Sequence, residues 1–117
     1  MKISTKSMFA LMTLILTLLL SVTAQANEQT EYRYCQVSIK GTTSVVSTIF
    51  RTQGKTYNLG YSFKLHIDAE FGEYPNVVYC PVFKTYQDAQ NARNSEVGDL
   101  RRKDWTVHTV QWSYRGD

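Results

Sequence analysis

Apolar and polar residues change their spacing along this chain, and each change marks an element. From Glu31 to Lys40 they alternate. Cys35, Val37 and Ile39 fall on one face, Tyr32, Tyr34, Gln36 and Ser38 on the other, which is the period of a strand. Gly41-Thr42 supplies a turn, and Thr43 to Arg51 a return strand rich in β-branched residues. After a break at Gln53-Gly54-Lys55 the alternation resumes. Phe63, Leu65, Ile67, Ala69 and Phe71 stand against Ser62, Lys64, His66, Asp68 and Glu70. This predicts a third strand over about Lys55 to Glu70, interrupted by a bulge at Asn58-Leu59-Gly60. Val77 to Cys80 gives a fourth strand.

The period then lengthens. Tyr86, Ala89, Arg93, Val97 and Leu100 recur at steps of three and four, one stripe of an amphipathic helix. Thr85 with Asp88 comes close to a capping box at its start. Arg101, Arg102 and Lys103 sit in its last turn, where the negative end of the helix dipole favours cations. Trp105 to Trp112 closes the chain as strand. The expected fold is α+β, a two-layer arrangement in the order β-β-β-β-α-β. Its mostly antiparallel sheet has four or five strands, with one helix packed on one face.

The first 26 residues change the picture of the rest. Lys2 and Lys6 begin them, a mainly apolar run from Met8 to Leu20 follows, and Ala24-Gln25-Ala26 offers a small-x-small cleavage site, the plan of an export signal. Removing residues 1–26 from the 117 leaves 91, a single small domain over residues 27–117. Of 13 basic residues, Lys2 and Lys6 leave with the signal, so 11 face 10 acidic ones and the balance is +1. Such a domain has no general attraction for nucleic acid or for an anionic membrane. The expected location is the periplasm or the exterior of a bacterial cell. In such a compartment Cys35 and Cys80, the only two cysteines, are expected to form a disulfide.

Candidate chemistry is sparse. If Lys55 to Glu70 is a strand, His66, Asp68 and Glu70 form a row on one face, weak candidates for a metal or for acid–base work. There is no G-x-S-x-G elbow and no phosphate-binding glycine loop, so no cofactor is expected and the protein is read as a non-enzyme. Aromatic residues are plentiful, with eight Tyr, two Trp and five Phe. Amphipathic rings at a surface favour interfaces, and Tyr32, Tyr34, Tyr61 and Tyr74 are the candidate binding residues. Tyr32 and Tyr34 are available only if the helix covers the opposite face of the first strand.

Cys80-Pro81-Val82-Phe83, Asp88-Ala89, Leu100 and Trp105-Thr106-Val107 together resemble the second half of a SPOR domain. In that small bacterial envelope module a strand ending in a small residue, Pro and Phe leads into an alanine-bearing helix and an aromatic-led last strand. Here Val82 separates Pro81 from Phe83, Cys80 stands where Gly is usual, and the first half shows no counterpart of that family's other helix. The resemblance implies binding to denuded peptidoglycan glycan. The residues themselves point to a small exported binding protein of the inhibitor or immunity kind, its partner another protein.

Overall fold

The computed structural model describes residues 29–117; the export signal expected over residues 1–26 lies outside them. The first hairpin forms where alternation places it, but each of its arms is broken once. β1 (Glu31–Arg33) and β2 (Gln36–Ile39) make the outgoing arm, β3 (Thr43–Ser47) and β4 (Phe50–Thr52) the return. Between them Gly41 turns the chain at φ 58°, and Thr43 N–H donates to Lys40 O at 3.2 Å. Beyond the turn Val37 faces Val45 and Gln36 faces Val46, whereas further along Arg33 faces Phe50. Tyr34 and Cys35 therefore oppose three residues, Ser47, Thr48 and Ile49. This bulge bends the arm and divides the ladder.

The third strand expected over Lys55 to Glu70 is instead a helix, α1 (Leu59–Phe71). Its apolar residues satisfy two periods at once. Leu59, Phe63 and Ile67, at steps of four, are all buried, while Leu65, which only the strand reading would bury, is 45 % exposed. A run of thirteen residues suits a helix better than a strand. The break at Asn58 to Gly60 is the helix start. Gly72 is its stop, left-handed at φ 73° with its N–H donating to Asp68 O.

β5 (Val78–Tyr79) and β6 (Val82–Phe83) follow, then α2 (Tyr86–Arg102) and β7 (Thr106–Val110). α2 is the helix the stripe predicts. Thr85 Oγ1 accepts from Asp88 N at 3.0 Å, and Ala89, Val97 and Leu100 are buried. The class is thus α+β, mostly antiparallel. Among the described residues there are two helices rather than one, and the strands fall in the orders β4-β1-β6 and β5-β2-β3-β7.

Chain direction explains where the helices go. β5 and β3 both run antiparallel to β2, and β7 runs parallel to β3. The connection through α1 therefore joins parallel strands in one direction across the sheet, and the connection through α2 returns in the other. Right-handed crossovers made in opposite directions place their helices on opposite faces. Packing agrees. Leu59, Phe63 and Ile67 join Cys35, Val37, Val45, Phe50 and Val110 in one cluster, while Val97 joins Tyr34 and Val46 in another. Both faces of the sheet are covered, not one. The expected disulfide is present. Cys35 and Cys80 lie opposite each other between paired strands, their Cα atoms 4.1 Å apart.

Candidate binding site at the sheet edge

With both faces covered, what remains of the sheet is its rim. The chain from Val78 to Phe83 is outermost in both strand orders. It is also apolar and open: Tyr79 is 58 % and Val82 49 % exposed, and Val77, just before it, 76 %. Natural edge strands are usually blunted by charge or cover; here the interruption is Pro81. It stands opposite Tyr34 in the register of the paired strands, and its missing N–H divides β5 from β6. Several contacts hold the strand in place. The disulfide ties Cys80 to Cys35, and the Arg33 guanidinium donates to Cys80 O at 3.2 Å. Lys64 Nζ donates to Asn76 O at 2.9 Å and lies 5.7 Å from the centre of the Tyr74 ring. α1 approaches closely at Gly60, where a Cβ would stand 2.9 Å from Val78 Cγ1.

Beside β5 a groove of about 410 Å³ opens toward α2, lined by Gln36, Ser38, Val77, Tyr79 and Glu96. Gln36 and Tyr79 are cross-strand partners, so their side chains share a face. Gln36 Nε2 donates to Glu96 Oε1 at 3.2 Å. Gln36 Oε1 is buried without a partner. No Lys, Arg or His among the described residues pairs with Glu96. The nearby Tyr34 hydroxyl is pushed from 10.0 up to about 12, first by burial and then by the negative charge of Glu96.

The sequence-derived candidates separate. Tyr34 is 3 % exposed and stacks on Phe83 at 6.1 Å; it is core, because α2 covers the face it occupies, and the expectation of a free ring there is corrected. Tyr32 is half-buried and meets Tyr86 edge-to-face at 6.2 Å. Both rings line a second groove of about 640 Å³, with Arg51 and Tyr114. Tyr61, on α1, and Tyr74, before β5, are exposed at 57 % and 49 %.

The row of His66, Asp68 and Glu70 does not exist, because the segment is helical. His66 Nε2 and Glu70 Oε2 approach to 2.8 Å as an i,i+4 pair, without aligned hydrogen-bond geometry. Asp68 is rotated away by two helix positions, about 200° from His66. No group of three metal-ligating side chains occurs among the described residues. Nor is any helix there long and apolar enough to cross a membrane. Tyr79, Gln36 and Glu96 are not among the candidates read from the sequence. Tyr79 carries a strand signal, but nothing local marks it as an edge, and Glu96 lies 60 positions from Gln36. The chain matches no protein-family model, no curated protein and no solved structure.

Proposed function

We propose that the protein is a non-catalytic binding module, working in the periplasm or outside the cell, which engages another protein along the edge strand from Val78 to Phe83. The observation that carries this reading is the exposure of Tyr79 and Val82, with Val77 just before them, along a strand that is outermost in both sheets. An extended segment laid beside such a strand completes its backbone hydrogen bonds and covers its side chains. The disulfide supports an oxidising compartment. The test is site-specific photocrosslinking in the cells that make the protein, with the photoreactive residue at position 79 or 82 and, as control, at Asn94 on the exposed side of α2. A discrete crosslinked polypeptide at 79 and 82 but not at 94 is expected. The same pattern at all three positions, or none at 79 and 82, overturns the reading.

A second reading, a module for cell-wall glycan, draws on the groove where Tyr32 and Tyr86 present their rings beside Arg51, since aromatic faces suit sugar stacking. Co-sedimentation with purified sacculi, abolished by Tyr86→Ala, is its expected result. Failure to sediment removes it.

A further inference from the structure

The groove beside β5 holds a carboxylate and a buried amide oxygen that its own hydrogen bonds leave under-served. Gln36 spends one amide N–H on Glu96 and leaves its Oε1 buried and unpartnered. Glu96 brings a carboxylate with no cation from the described residues beside it, and the Tyr79 ring forms a wall. A buried acceptor without a donor is costly to leave so. A carboxylate, a free amide oxygen and an aromatic face together fit one chemical group, a side-chain cation. A guanidinium, with five N–H donors in a planar fork, could serve both oxygens and lie against the ring.

We infer that this groove receives the arginine or lysine side chain of an extended partner segment added outside β5. The inference rests on the reading of this edge as the docking strand and deepens it by naming what the partner must carry. Sheet geometry sets the register. In an added strand, the residue opposite Tyr79 has its side chain on the face shared by Tyr79, Gln36 and, from α2, Glu96. It starts two strand spacings from Gln36, roughly 9–10 Å, so only a long-stemmed side chain reaches back over Tyr79 to the acceptors. The neighbouring residues of the segment, alternating to the same and the opposite face, meet Val77 and Val82. The recognised segment is therefore extended, cationic opposite Tyr79, and apolar opposite Val77, two positions to one side, and opposite Val82, three positions to the other.

The test uses the oxidised protein as bait for a displayed library of random decapeptides, followed by synthesis of those selected. Backbone amide shifts on titration locate the binding, and dissociation constants are measured for the native protein and for Glu96→Gln, which keeps the shape and the hydrogen bond from Gln36. The expected result has three parts. Shifts concentrate from Val77 to Phe83, an Arg or Lys recurs at one fixed position, and Glu96→Gln weakens binding by about tenfold or more. Glu96→Lys should then restore binding to a peptide whose cation is replaced by Glu. Peptides that dock at Val77 to Phe83 without a cation, and bind Glu96→Gln equally well, overturn this inference while leaving the docking edge standing. Selection of no peptide, or shifts confined elsewhere, overturns both.

Discussion

Asp104 holds a left-handed backbone, φ 62°, immediately past α2. Two chain-reversing bonds depend on that conformation, Asp104 N–H to Arg101 O and Trp105 N–H to Leu100 O. The left-handed region costs an L-residue roughly 1–2 kcal/mol, a cost that Asp moderates and Gly avoids. Asp104→Gly should therefore raise the unfolding free energy by about 0.5–1 kcal/mol, seen as a higher melting temperature with an unchanged spectrum. A fall would mean that the Asp104 side chain matters more than its backbone. Tyr34 shows what one residue's sequence position can and cannot reveal. Its parity, opposite to Cys35 and Val37, is legible from alternation and holds in the structure. Whether its face is open depends on α2, which arrives from more than fifty positions away.

Among elements, α2 is readable because stripe, cap and terminal cations agree, and the first hairpin because its outgoing arm alternates and, past the Gly41 turn, its return arm is rich in β-branched residues. α1 is not, because Phe63 and Ile67 serve a period of two and a period of four equally. Gly72 and the length of the run favour the helix, but they compete with an alternation of ten residues. The start of α1 has a further peculiarity. Asn58, at its N-cap, offers no side-chain cap, and the Asp117 carboxylate accepts instead from the N–H groups of Tyr57 and Asn58, each at 3.1 Å. A hydrogen bond from the Tyr114 hydroxyl, then those backbone donors, hold the Asp117 carboxyl below its ordinary 3.8. A lowered carboxyl value means stability that is present above pH 3.8 and is lost as pH falls through the lower, folded value. Asp117→Asn should thus reduce stability at neutral pH and flatten the acid limb of a melting-temperature profile below about pH 4. An unchanged acid limb would show that this cap contributes nothing.

At the scale of the whole molecule, strand order escapes sequence reading because it is set by partners far apart in the chain. β3 meets β7 across some sixty positions, and no local period encodes that choice. The Cys35–Cys80 pair did foretell one neighbour relation, since bridged residues must lie close. It joins residues 45 positions apart and fastens the outer strand to its neighbour in a domain whose core is small. Replacing both cysteines by serine should lower the unfolding free energy by about 2–5 kcal/mol, measured by denaturant titration. It should also loosen Val78 to Phe83 first, as faster amide exchange there than in β3. Uniform loosening would mean that the bridge acts on the unfolded chain alone.

That bridge also governs how this molecule can associate. An edge strand free to peel away can be traded, leaving its own sheet to complete that of another copy. A strand sewn to its neighbour through Cys80 has no such exit. Under oxidising conditions this strand can be extended by a partner but not exchanged, so binding along it needs no unfolding of the strand. Reduction would remove that restriction and open this strand to exchange between copies.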